Sequence, residues 1–237
     1  MKKQTNIPTL RFPEFEGEWE RKKLGKLAEI NPSNKESLPE SFIYIDLESV
    51  ENGELKKENT INKNEAPSRS QRVLNVNDIL FQMVRPYQMN NLYFDRVGNY
   101  VASTGYAQIR TEQNTMFLYQ YLHFKKFVDK VIERCTGTSY PAINSTDLSN
   151  ILISFPTLPE QQKIASFLSL MDKKIGQLKQ KKELLQAYKK GIMQKLFSQE
   201  IRFKDENRND FEDWEMKTLG ECLDYIQPTN YLVESTE

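Results

Sequence analysis

Histidine is nearly missing from these 237 residues: His123 stands alone. Zinc sites built on histidines and the H-E-x-x-H helix are excluded, because each needs more than one imidazole. A Ser-His-Asp triad would have to use His123, which falls in the apolar-periodic stretch from Phe117 to Phe124 and reads as a histidine packed along a helix. The nine glycines are scattered singly, so neither G-x-x-x-x-G-K-S/T nor G-x-G-x-x-G is present. Cys135 and Cys222 are the only cysteines and lie far apart, which suits a reducing cytoplasm and offers no disulfide framework. No run of eighteen apolar residues occurs, and Met1-Lys2-Lys3-Gln4 leads into polar sequence. Neither a membrane span nor a signal peptide is expected. With these motifs absent, no catalytic residue, metal site or cofactor is expected either.

A net charge is also lacking, with 33 basic against 33 acidic residues. That argues against a polybasic protein coating nucleic acid without choosing a site. The balance is uneven along the chain. Residues 160–200 carry nine lysines against Glu160, Asp172, Glu183 and Glu200, whereas residues 201–237 carry four basic residues against ten acids. Three charge regimes predict three units: 1–158, 159–200 and 201–237. Between Asn64 and Phe124 lysine disappears, leaving Arg69, Arg72, Arg85, Arg96 and Arg110. Arginine offers the planar two-pronged donor that grips phosphate or guanine. Pairing with local acids on a solvated face is the other reading of the same pattern.

The first unit reads as α+β. Strands are expected at 42–47, 72–76 and 79–84, the last two around Asn77-Asp78, and a hairpin at 92–110 around Gly98-Asn99. Asn114 or Thr115 caps a helix expected to run to about Cys135, and a short strand covers 151–155. Two loops carry more polar and aromatic groups than a turn requires. The first offers Arg85, Tyr87, Gln88, Asn90 and Asn91, and the second Thr138, Ser139, Tyr140 and Asn144. Arg, Gln and Asn can contact guanine and adenine with two hydrogen bonds, so these nine residues are the candidate base contacts. Arg69 and Arg72 are the candidate phosphate contacts. Loops bonded to their own backbone remain the alternative.

From residue 159 a long helix is predicted, with Thr157 and Glu160 at capping-box spacing. Apolar residues then alternate by four and three at Ile164, Leu168, Met171, Ile175, Leu178, Leu185, Ile192 and Leu196, with Lys182 and Lys189 interrupting. This is a coiled-coil seam. Forty residues of helix span roughly 60 Å, too long to bury under a domain this small, so a helical partner is implied. After the helix the chain repeats its own start. Leu10-Arg11-Phe12 returns as Ile201-Arg202-Phe203, the segment at Phe15 and Trp19 as that at Phe211 and Trp214, Leu24-Gly25 as Leu219-Gly220, and Pro32 as Pro228. A second domain is expected to begin at 201 and to stop short of its core.

Taken in order, these motifs resemble the specificity (S) subunit of type I restriction–modification systems. The resemblance rests on Arg11-Phe12-Pro13-Glu14-Phe15 with Trp19 and Leu24-Gly25, then Asn77-Asp78-Ile79-Leu80-Phe81 with Arg85-Pro86. Ser103-Thr104-Gly105-Tyr106, Gly137-Thr138-Ser139, Leu158-Pro159-Glu160-Gln161-Gln162-Lys163-Ile164-Ala165 and the helix end at 189–197 complete it. The resemblance implies a target-recognition domain followed by a spacer helix, reading one half of a split double-stranded DNA site. It implies partners too: modification (methyltransferase) subunits docked on the helices and, indirectly, restriction subunits. Family members normally hold two domains and two antiparallel helices. One of each here implies a homodimer through the helix, or else an inactive truncated product.

Two rivals stay open. An enzyme acting on DNA would need an Asn/Asp-Pro-Pro-aromatic motif, which Asn31-Pro32-Ser33-Asn34 is not. The E-x-K triplets Glu54-Leu55-Lys56 and Glu20-Arg21-Lys22 arise easily by chance. A coiled-coil adaptor binding only protein would also fit the near-neutral first unit.

Overall fold

A computed structural model describes residues 6–34 and 37–225, so the expected counterpart of Pro32 at Pro228 lies outside the described residues. The strands, in chain order, are β1 (Glu20–Lys23), β2 (Ala28–Ile30), β3 (Ser41–Ile45), β4 (Val50–Glu51), β5 (Glu54–Leu55), β6 (Asn59–Asn62), β7 (Ser70–Val73), β8 (Ile79–Gln82), β9 (Leu92–Tyr93), β10 (Tyr100–Ser103), β11 (Tyr106–Thr111) and β12 (Leu152–Phe155). The helices are α1 (Thr115–Leu122), α2 (Lys125–Ile132), α3 (Ser145–Ser149), α4 (Leu158–Phe197) and α5 (Leu219–Cys222). The chain divides into two units, Met1–Ile175 and Gly176–Glu237.

The first unit is α+β and holds two four-stranded sheets, ordered β2-β11-β8-β9 and β6-β3-β10-β7, with β1 pairing β12 and β4 pairing β5. Successive side chains of a strand point to opposite faces, and this alternation builds two cores at once. Ile79 and Phe81 of β8 turn toward α1 and α2, joining Ala107, Ile109, Leu118, Leu122, Phe127 and Val131. Leu80, between them, turns the other way and packs with Ile45, Leu74, Leu92, Phe94, Tyr100 and Tyr106. A strand buried on both faces needs an unbroken apolar run, which is what Ile79-Leu80-Phe81 supplies. Asp78 lies beside it, almost fully buried. Its carboxylate is held by Arg110 at 2.8 and 2.9 Å and by Gln108 Nε2 at 2.7 Å.

Three sequence expectations are corrected. The stretch 92–110 is not a hairpin. β9 pairs with β8 in one sheet, while β10 runs parallel to β3 in the other. The chain crosses back at Thr104-Gly105, where a Cβ on Gly105 would sit 3.0 Å from Leu47, so only a glycine turns there without moving that side chain. Likewise β7 and β8 flank Asn77-Asp78 but belong to different sheets. Finally, the single helix expected from Asn114 to Cys135 is two. Asn114 does cap it, its Oδ1 accepting from Phe117 N at 2.8 Å. At Phe124 the backbone becomes extended, with φ −65° and ψ 126°. The break re-aims α2 so that Phe127, Val128 and Val131 are buried, while Phe124 and Ile132 are left exposed.

Helix α4 is 40 residues long, as its periodicity predicts. Glu160 does not serve the capping box, because its carboxylate is taken by Arg11 and Trp19. Ile164 packs against the domain cluster of Phe117, Phe155 and Ala165 rather than standing free for another helix. Leu168 joins it in lining a cavity with Trp19, Phe117 and Tyr121. The open seam therefore starts at Met171 and continues through Ile175, Leu178 and Leu185, all exposed. Ile192 and Leu196 are half-buried. No helix among the described residues is long and apolar enough to cross a membrane.

Candidate nucleic-acid interface

Fifty residues separate the two polar loops in sequence, and the fold joins them. Arg85 N donates to Pro141 O at 2.7 Å, and Ile143 N donates to Met83 O at 3.1 Å. Val84 bridges Ala142, which also bridges Thr136. The second loop is closed by reciprocal bonds between Thr136 and Ala142, each 2.9 Å. Gly137 makes that closure possible. Its φ is +90°, and a Cβ there would lie 3.1 Å from the Tyr140 carbonyl oxygen. Asn144 caps α3 by accepting from Asp147 N at 2.8 Å, which anchors the loop's far end.

The first loop is held just as firmly. Pro86–Gln88 form a single 3-10 turn, with left-handed residues on both sides, Arg85 and Met89, each at φ 53°. Left-handed backbone costs a non-glycine residue roughly 1–2 kcal/mol, so surrounding bonds must hold it. Gln82 supplies them. Buried at the end of β8, it donates to Gln88 Oε1 at 2.9 Å and accepts from Asn90 N at 3.0 Å. Proline at 86 fixes one φ of the turn outright.

The product is a placed guanidinium. Arg85 Cζ sits 4.3 Å from the centre of the Tyr140 ring, and Tyr140 is 64% exposed. Stacking holds the plane of the guanidinium while leaving its edge donors free, and less side-chain freedom is then lost on binding. Arg85, Tyr140, Gln88, Asn90 and Arg69 line one cavity of about 520 Å³. Glu48 and Glu51 stand on its wall as well, so the surface is mixed in sign rather than uniformly basic.

Two candidates lie elsewhere. Asn91 is buried; its Oδ1 accepts from Gln82 N at 2.8 Å and its Nδ2 meets His123 Nε2 at 3.3 Å. It shapes the loop from beneath and cannot reach a base. Arg72 is half-buried on β7, with its Nε sealed from solvent and bonded to none of the described residues, and burial holds its guanidinium below the usual arginine range. It is not among the cavity residues. Tyr87, Thr138 and Ser139 are exposed on the two loops. Asn144 is exposed too, but its side chain is engaged in capping and with Asp147 Oδ2 at 2.7 Å. Sequence reasoning missed Gln82, whose place at the end of an apolar strand was the available signal. It also passed over Arg21, Lys126 and Lys130, which line a cavity of about 810 Å³ floored by Trp19, Phe117 and Tyr121.

A second polar centre ties the domain to its helix. Arg11 makes two bonds of 2.7 Å to the Glu160 carboxylate, and Trp19 Nε1 donates to it at 3.2 Å. Arg11 also closes its own segment onto Gly17 O and Glu16 O, at 2.6 and 3.0 Å. Glu160 is 1% exposed. Gln161, equally buried, donates to Pro156 O and Gln113 Oε1 and accepts from Asn114 N.

The chain is similar to known proteins in sequence and in fold. The family model described as the type I restriction modification DNA specificity domain matches residues 16–187. The chain is 28% identical over 234 residues to the type I restriction enzyme MjaVIII specificity subunit of Methanocaldococcus jannaschii, a match covering 94% of this chain and 52% of that protein. Among solved structures, the HsdS subunit from Thermoanaerobacter tengcongensis superposes with a TM-score of 0.58 at 25% identity, covering 74% of this chain and 47% of that one. The S subunit from M. genitalium, at 18% identity and a TM-score of 0.54, shares the fold over 86% of this chain and 50% of its own. The chain thus spans about half the length of these relatives.

Proposed function

Because the chain belongs to the type I restriction modification DNA specificity family, we propose that it recognises one half of a split double-stranded DNA site, without catalysing a reaction itself. Residues 1–158 form the target-recognition domain, 159–200 the spacer helix, and 201–237 the repeated start of a recognition domain. The observation that carries this reading is the union of the two polar loops around Arg85 stacked on Tyr140. Arg85 reads a base edge in the major groove, with Gln88, Asn90, Tyr87, Thr138 and Ser139 beside it. Arg69, in the same cavity, takes a phosphate.

The helix supplies the ruler. Its exposed seam from Met171 to Leu185 needs a second helix, and a second copy of the chain provides one through a two-fold axis. Such a homodimer reads two identical half-sites in opposite orientation. Modification subunits dock on the helices and perform the methyl transfer, a restriction subunit joins through them, and the assembly works in the cytoplasm.

The test is a methylome. The chain is co-expressed with its modification subunits in a methylation-free host, and methylated adenines are mapped by long-read sequencing. A new split, palindromic motif is the expected result. No new motif, with soluble methyltransferase present, would overturn the reading in favour of an adaptor or an inactive fragment.

A further inference from the structure

Residues 201–222 repeat part of the local bonding of 10–25 as well as its sequence. Arg202 donates to the carbonyls of Phe211 and Glu212, as Arg11 donates to those of Glu16 and Gly17. Both arginines thus fold their segment back on itself. Thr218 and Glu221 form a capping box that starts α5 at Leu219, the counterpart of the short turn that starts at Leu24. Asp205 follows Arg202 at the spacing with which Glu14 follows Arg11.

What differs is the partner. Arg11 gives its Nε to Glu160 on α4, whereas Arg202 pairs only within its own segment, with Asp213 Oδ1 at 2.8 Å, and its Nε bonds to none of the described residues. Leu24 is fully buried; Leu219 is 78% exposed, and Phe203, Phe211 and Trp214 are also exposed. A segment folded around an arginine, with its apolar side chains open, is shaped for a receptor it has not met. The chain holds such a receptor at the start of α4. Glu160 receives Arg11, Lys163 pairs with Glu14 at 3.1 Å, and Phe167 meets Phe12 edge-on at 6.1 Å. Arg202, Asp205 and Phe203 carry the matching chemistry in the matching order.

We propose that residues 201–222 are a second latch, which engages Glu160, Lys163 and Phe167 of a second copy of the chain in exchange with that copy's residues 10–25. Two latches then compete for each helix start, and exchange ties the copies together by a segment swap in addition to the helical seam. This rests on the dimer reading above.

The test places p-benzoylphenylalanine at Phe203 in the full chain and mixes isotopically light and heavy protein. Crosslinked peptides are mapped by mass spectrometry, and the mass of each sample is measured by sedimentation. The expected product joins residue 203 of one chain to residues 160–170 of the other. Arg202→Ala should abolish it, and Arg11→Ala should raise its yield by freeing Glu160. Should Arg11→Ala fail to fold, Phe12→Ala serves, since it weakens the same competitor while leaving the ion pair. A dimer whose crosslinks fall elsewhere, arise within one chain, or ignore these substitutions overturns the latch and leaves the dimer standing. A monomeric parent protein overturns both.

Discussion

Leu80 and Leu184 are the same amino acid in opposite circumstances. Leu80, between two sheets, has no exposure, whereas Leu184, well along α4, is 65% exposed. The first unit buries two large apolar clusters through its two four-stranded sheets and short helices, and leaves Met171 and Ile175 exposed on its part of α4. The second presents Leu178, Leu184, Leu185 and Tyr188 to solvent on a helix with no local support. Composition alone cannot distinguish these fates. What separates them is whether other segments cover the apolar face, and no described residue covers Leu178, Leu184 or Leu185 enough to bury them. The first unit holds the buried cores, and the second presents an apolar helix face that a second copy would cover in the proposed dimer.

The largest effect that would sharpen this contrast is in the seam. Leu178→Asp with Leu185→Asp removes four leucines from the proposed dimer, at about 1.5–3 kcal/mol each. Sedimentation should show a monomer while the thermal melt of the first unit stays in place; a shifted melt would mean the seam serves the domain. Glu160→Ala makes the opposite cut. It strands the Arg11 guanidinium and the Trp19 N–H, and loss of one member of a buried pair costs about 3–5 kcal/mol. Chemical denaturation followed at the tryptophans should register that loss in the first unit. A change under 1 kcal/mol, on the order of an exposed pair, would break the comparison.

Arg85→Ala acts on recognition instead of stability. Relaxed preference at one base position, by about 1–3 kcal/mol, is expected in competition binding with modification subunits present. An unchanged preference would remove Arg85 from base reading. The smallest effect is Asn114→Ala, which takes the cap from α1 and costs about 1 kcal/mol. Its midpoint shift should appear in the domain melt and leave association untouched.

Much of this architecture could be read from residue spacing. The period of α4 stands out because nothing interrupts it except lysines, and the repeated Trp19 and Trp214 segments are similar enough to find by eye. The helix break at Phe124 was illegible, since Phe124 continues the apolar pattern and only the sheet beneath decides where Phe127 must point. The false hairpin at 92–110 has a related cause. Gly98-Asn99 is good turn chemistry, but the parallel pairing of Tyr100 with Ile43 is a long-range choice that no local pattern records. At the interface, loop composition pointed to Arg85 and Tyr140 separately. It could not reveal that they stack, which depends on a contact between distant segments, nor that Asn91 turns inward to Gln82 and His123.

That contact has a consequence for how recognition can change. The bonds linking Met83 and Arg85 to Pro141 and Ile143 tie the two loops together, so in the proposed function they read as one unit. A loop transplanted singly from a relative would arrive without its fitted counterpart and lose the stacked arginine. New sequence preferences should therefore be exchangeable as whole domains, cut where the chain enters α4, and resist being assembled loop by loop.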